Sequence, residues 1–149
     1  MELRELLKGV AVLETAADLE QEIGNVVYDT RKNIAPGSLF VAIAGFTFDG
    51  NSYIPTALEK GAAAIVTAKK PAEDIPYILV ESDRLALAHI GANFYGNPAE
   101  SMTMIGVTGT NGKTTSTYLI KAMLEGVLHT KVGLIGTNQN LIGALELPA

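Results

Sequence analysis

The chain has no cysteine, no tryptophan, only two histidines, no excess of positive charge and no long apolar run. Without cysteine there are no disulfide staples, no thiolate metal sites and no cysteine nucleophile, and a reducing compartment, hence the cytoplasm, is the expected setting. His89 and His129 lie far apart with no metal-ligand spacing around either, so both read as structural or solvated. A net charge of −5 gives no general attraction to nucleic acid or to an anionic membrane, and neither is expected as a partner. Any anionic ligand must therefore be held by a local site. No window approaches the roughly 20 apolar residues of a membrane span. The opening stretch MELRELLKGVAVLETAADLEQEI carries acids throughout and does not read as a signal peptide.

What is present is the composition of a packed globular protein, 48% hydrophobic and 18% charged over 149 residues, enough for one ordinary domain or two small ones. Short apolar runs alternate with helical patterns. Residues 26–28, 39–43, 62–67 and 77–80 read as strands. Ile54, Ala57 and Leu58 form a helical stripe that Gly61 ends, and a longer helix is expected over 83–95. Leu87, Ile90 and Phe94 share one face of that helix, with Ser82 or Asp83 as its cap. This rhythm is α/β. The cluster YGNPAES, residues 95–101, breaks the pattern, because a residue before proline disfavours helix. A domain boundary is placed there, giving domains 1–97 and 98–149.

In the second domain, 103–107 reads as a strand, 113–128 as a helix and 131–137 as the next parallel strand, one βαβ unit in all. Ile120, Leu124, Val127 and Leu128 line one face of the helix, widened by Leu119 and Met123. One such unit cannot cover both faces of a parallel sheet, so this domain is expected to be incomplete. Exposed apolar surface around Ile105 and Leu134, and self-association of the chain, are expected with it.

Between strand and helix lies GVTGTNGKTT, residues 106–115. A lysine in the first turn of a helix sits against the positive end of the helix dipole, which is unfavourable unless an anion is nearby. Free backbone N–H groups at the helix start, with Gly109 and Gly112 allowing close approach, complete an anion site. Lys113 would then reach the terminal phosphates of a nucleoside triphosphate, and the Thr114 hydroxyl would ligate Mg²⁺. The match to G-x-x-x-x-G-K-[ST] is imperfect: Val107 stands where the first glycine belongs, and Gly106 comes one residue early.

That wording resembles the ATP loop of the Mur ligases, which reads T-G-T-N-G-K-T-T. The stretch YDTRKNIAPGSLFVAIAGFTFDGNSYIPTALEKGAAAIV, residues 28–66, is similar to the uridine-nucleotide domain shared by the members that add the third residue and the terminal dipeptide. KVGLIGTNQNLIG, residues 131–143, looks like the third-residue, MurE-type member. The resemblance implies a small amino-terminal α/β nucleotide-sugar-binding domain followed by the opening of a P-loop central domain. ATP would phosphorylate the carboxylate of UDP-MurNAc-L-Ala-D-Glu, and the amine of a diamino acid would attack the acyl phosphate, in peptidoglycan precursor synthesis. ATP and Mg²⁺ are the implied cofactors.

Carried over residue by residue, the resemblance assigns Gly109, Thr110, Asn111, Gly112, Lys113, Thr114 and Thr115 to ATP, with Lys113 also the catalytic cation and Thr114 the Mg²⁺ ligand. It assigns Tyr28, Thr30, Phe46, Thr47 and Phe48 to the UDP-sugar, ahead of the family's DG at Asp49 and Gly50. Thr30 stands where serine is usual, which keeps the hydroxyl. Packing is the alternative for Phe46 and Phe48, and an ion pair holding the loop is the reading for Asp29 and Arg31; Asn138 is a weak candidate. The family's ligases have three domains and act as monomers, so this stretch alone is expected to be inactive. The competing readings are the dipeptide-adding, MurF-type ligase, a folylpolyglutamate-synthase relative, and a non-catalytic UDP-sugar-binding module. The choice between diaminopimelate, preferred here, and L-lysine belongs to a domain outside these residues.

Overall fold

The computed structural model describes residues 1–31, 34–45 and 49–147. They divide into two compact units, Met1–Thr103 and the residues from Met104 onward.

In the first unit, strands β1 (Val12–Thr15), β2 (Asn25–Val27), β3 (Ser38–Ala42), β4 (Ala62–Thr67) and β5 (Tyr77–Val80) form one sheet in the order β1-β5-β4-β3-β2. The four strands from β2 to β5 run parallel to their neighbours, and β1 closes one edge antiparallel to β5. Three helices cover the sheet: α1 (Leu3–Leu6), α2 (Ile54–Glu59) and α3 (Asp83–Phe94). Successive side chains of a strand point to opposite faces. Leu39 and Val41 therefore pack with Ala64, Val66, Ile78, Leu3, Leu6, Ala86 and Ile90, while Phe40 and Ala42 pack with Ile65 and Ala57. Covering both faces is what a parallel sheet demands, and it is why all five residues of β3 are buried. Ser82 Oγ accepts the Leu85 N–H at 3.4 Å and caps α3, as its sequence position predicts.

The second unit contains α4 (Lys113–Leu128) and a three-stranded sheet of β6 (Gly133–Ile135), β7 (Asn140–Ile142) and β8 (Leu145–Leu147). The helix spans the predicted residues, but two expectations fail. Residues 103–108 form no strand, and β6 pairs antiparallel with β7, so no parallel βαβ unit is built. A strand exists through its ladder partners, and among the described residues none lies beside 103–107; Met104 and Ile105 are left 68% and 54% exposed. The broad apolar stripe of α4 is buried only in part: Ile120 and Leu124 are half-buried, whereas Leu119, Met123, Val127 and Leu128 are exposed. Lys121 is the buried residue of the helix, and its ammonium meets Glu125 at 2.7 Å. The other oxygen of Glu125 accepts the Val132 N–H at 3.2 Å and so ties α4 to the chain entering β6. Among the described residues no helix is long and apolar enough to cross a membrane.

Candidate functional site

In parallel sheets ligands are held beyond the carboxyl ends of the strands, where side chains can converge on a crevice that the ladder leaves open. The register sets Val27 beside Phe40 and Phe40 beside Ile65, so β2, β3 and β4 end at one edge. The residues leaving them, from 28, 43 and 68, gather there.

Tyr28 follows β2 and is 52% exposed; Thr30 is half-buried, two residues on. Asp29 and Arg31 form the expected ion pair, at 2.8 Å, and the Arg31 N–H also donates to Asp29 Oδ1 at 2.9 Å. These bonds curl the backbone around Thr30. Lys60, just past α2, donates from Nζ to the Thr30 carbonyl at 2.8 Å. After β3, the Ala44 N–H donates to Asp83 Oδ2 at 2.7 Å, and Ala44 bridges to Asp49. Phe46, Thr47 and Phe48, assigned to the UDP-sugar by resemblance, lie outside the described residues. Sequence reasoning missed Lys60 altogether and saw Asp83 only as a helix cap, since a contact spanning 30 or 39 residues leaves no local signature.

The second candidate site is the start of α4. Gly112 occupies the cap position with φ +77, a conformation that a Cβ would strain, and no side chain caps the helix. The N–H groups of the first helical turn have no intrahelical partner by construction, so Lys113, Thr114 and Thr115 present donors at the positive end of the helix. A Cβ at Gly112 would meet nothing within 4 Å, and at Gly109 only the Asn111 carbonyl at 3.8 Å, so the loop face is open to an incoming group. Lys113 Nζ folds back on the loop and donates to the Gly109 carbonyl at 2.5 Å, with the Thr110 carbonyl at 3.4 Å. The seven residues predicted for ATP thus run from the glycine-containing loop into the first turn of α4, and these donors, cation and open backbone fit a polyphosphate.

The fit to Mg²⁺ is narrower. Thr114 offers one hard oxygen, and no group of three acidic, histidine or cysteine residues suited to a metal occurs among the described residues. Such an ion would be held through Thr114 together with the phosphates it accompanies. Tyr118, one turn into α4, donates to Gln139 at 2.7 Å and fixes the turn between β6 and β7; Asn138 lies in that turn.

Comparison with known proteins adds an independent line. Residues 22–95 match the catalytic domain of the Mur ligase family, and residues 107–149 match the Mur ligase middle domain. A curated relative from Caldanaerobacter subterraneus subsp. tengcongensis, named UDP-N-acetylmuramoyl-L-alanyl-D-glutamate--2,6-diaminopimelate ligase, is 47% identical over 99% of this chain and 30% of its own length. A solved structure of a ligase with that same name covers 99% of this chain and 30% of its own, with a TM-score of 0.70 at 20% identity, a likeness of fold. The MurF ligase of Thermotoga maritima, solved in complex with ADP, is 34% identical over 68% of this chain and 23% of its own, with a TM-score of 0.54. The chain spans about 30% of the length of the curated relatives it matches. With two domains matched in order and 47% identity along nearly its whole length, the chain belongs to the Mur ligase family.

Proposed function

We propose that these residues are the amino-terminal part of an ATP-dependent ligase that joins a diamino acid to UDP-MurNAc-L-Ala-D-Glu in peptidoglycan synthesis. The name of the 47% identical relative favours diaminopimelate as the diamino acid. Residues 1–97 bind the UDP-sugar, with Tyr28, Thr30 and the stretch from Phe46 to Phe48 against the nucleotide. Residues 98–149 open the ATP domain, with Gly109 to Thr115 around the phosphates and Thr114 toward Mg²⁺. The consumption of ATP goes with a cytoplasmic setting.

In the reaction, a carboxylate oxygen of the substrate attacks the γ-phosphorus of ATP and ADP leaves. The amine then attacks the acyl carbon, loses a proton and expels phosphate. Lys113 and the N–H groups at the head of α4 hold the phosphates in line and offset the charge that develops on the transferred group. Mg²⁺ supplies further charge neutralisation when bound. Groups outside these residues complete the chemistry, so the chain by itself binds but does not turn over.

The observation that carries the reading is the uncapped start of α4, where a glycine at φ +77 is followed directly by Lys113. The test is calorimetric titration of this chain with Mg·ATP and with UDP-MurNAc-L-Ala-D-Glu. The expected result is heat from both, with ATP affinity falling at least about tenfold in Lys113→Ala, the loss of a charge-assisted contact. A chain that binds the UDP-sugar and ignores ATP would instead be the non-catalytic module.

A further inference from the structure

We infer that Asn111 is a modification site: its side-chain amide, the Gly112 nitrogen and water react to leave a carboxylate inside the glycine-rich loop. Asn111 is the only asparagine of the chain that glycine follows. Glycine suits this chemistry, because no Cβ hinders its nitrogen as it swings toward the asparagine side chain. The Gly112 nitrogen gives up its proton and bonds to Cγ of Asn111, and Nδ2 leaves as ammonia, which closes a five-membered imide. Water then opens the ring. Attack at Cγ restores the main chain with aspartate at 111; attack at the main-chain carbonyl carbon leaves isoaspartate, with the chain running through the side chain. Nothing is oxidised or reduced.

The local structure leaves both reacting groups available. Asn111 and Gly112 are exposed, and among the described residues neither the Asn111 amide nor the Gly112 N–H makes a hydrogen bond. Gly112 stands at φ +77 before the helical ladder begins, with nothing within 4 Å of an added Cβ. As its nitrogen loses a proton, negative charge develops at the positive end of α4, on a loop that also carries the Lys113 ammonium at the Gly109 carbonyl. The surroundings that suit a phosphate thus favour the attacking form of Gly112.

Related dipeptides elsewhere in the chain are locked. Asn51 precedes the small Ser52, but its side chain donates to Asp49 Oδ1 and accepts from Thr67 Oγ1, both at 2.6 Å, and the Ser52 N–H donates to the Asp49 carbonyl at 3.1 Å. Asp49 precedes Gly50, whose N–H donates to the Ile43 carbonyl at 2.9 Å. In both cases the attacking nitrogen is engaged. The functional consequence at Asn111 rests on the reading that this loop holds the phosphates of ATP. A carboxylate there repels them, and isoaspartate also lengthens the main chain ahead of the Gly112 and Lys113 N–H groups. Bound polyphosphate in turn engages those groups and slows the attack.

The test is incubation of this chain in mildly alkaline buffer, with and without Mg·ATP. Peptide mass mapping follows each asparagine, and isoaspartate is counted by methyl transfer from S-adenosylmethionine with a protein isoaspartate methyltransferase. The expected result is conversion at Asn111 at least about tenfold faster than at Asn51, where hydrogen bonds must first break, and slower when Mg·ATP is present. Asn111→Asp is expected to raise the Kd for Mg·ATP about fivefold by calorimetry, from the added like charge. An Asn111 that keeps its amide as long as Asn51 does would overturn the inference and leave the ATP reading to its own titration. Conversion at Asn111 that Mg·ATP does not slow, in a chain that gives no heat with Mg·ATP, would support the modification site and overturn the ATP reading instead.

Discussion

The two units use similar sequence signals with opposite results. In the first, helices cover both faces of the sheet, and every apolar residue of β3 and β4 except the half-buried Ala63 is withdrawn from solvent. In the second, a sixteen-residue helix forms over its predicted span, yet Leu119, Met123, Val127 and Leu128 stay exposed, and Leu134 is the one buried apolar side chain among the described residues. Helical hydrogen bonds close within a segment, whereas strand ladders and cores need partners from elsewhere in the chain. An amphipathic pattern therefore predicts the helix, but not its burial.

The largest expected effect comes from the cores. Phe40→Ala is expected to lower the stability of the first unit by about 3–5 kcal/mol, because the ring is fully buried between β2, β4 and α2. Leu134→Ala is expected to leave that transition where it is. Urea unfolding followed by residue-resolved NMR separates the two. If both substitutions move one shared transition by equal amounts, the units unfold together and the contrast between them is lost.

Glycines sharpen the comparison at a smaller scale. Gly50 touches the Ile43 backbone so closely that an added methyl must displace it, and Gly50→Ala is expected to cost about 1–3 kcal/mol, read in the same urea assay. Gly126 lies within α4, with nothing within 4 Å of an added Cβ. Gly126→Ala is expected to raise helicity by circular dichroism and to stabilise the helix by roughly 0.5–1 kcal/mol. A neutral Gly50→Ala would mean that the contact between Gly50 and Ile43 is looser than its geometry.

Much of the first unit was legible in the sequence. The apolar runs at 62–67 and 77–80 became β4 and β5 at those residues, and of the two caps read for α3, Ser82 or Asp83, it is Ser82 that caps it. Elements of three or four residues, such as α1, β1, β7 and β8, span too little of a period to announce themselves. The strand read at 103–107 failed for the converse reason: an apolar run states a preference, and the preference is met only where another strand runs alongside. At the candidate sites, Gly112 and Lys113 were readable because loop chemistry is local, as was the Asp29 and Arg31 pair. Lys60 and Asp83 were not, since their partners lie 30 and 39 residues away in the chain. Fold class and the glycine-rich loop thus came from pattern, and the contacts at the carboxyl ends of the strands from topology.

The smallest expected effect is electrostatic and again separates the units. Glu14 accepts from Lys70 Nζ at 2.7 Å and from the Tyr77 hydroxyl at 2.6 Å, joining β1 to β5 and to the chain after β4. Lys70 first and Tyr77 second hold its carboxyl below the ordinary 4.5. A carboxylate depressed on folding contributes stability that is present above its ordinary value and is lost as pH falls through the depressed one. Lys70 and Tyr77 are raised by the same carboxylate, so their contributions are complete below 10.5 and 10.0 and disappear as pH rises beyond. Glu14→Gln is therefore expected to flatten both the acid and the alkaline limbs of the first unit's stability profile, modestly because the pair is solvent-screened. In the second unit Glu125 is depressed by Lys121 and then by the Val132 N–H, with the same acid sign. Glu125→Gln is expected to flatten only the acid limb there and to leave the first unit's profile unchanged, as followed by thermal midpoints and NMR from pH 3 to 11. A Glu125→Gln profile that altered the first unit would require a coupling between the units that none of their separate cores explains.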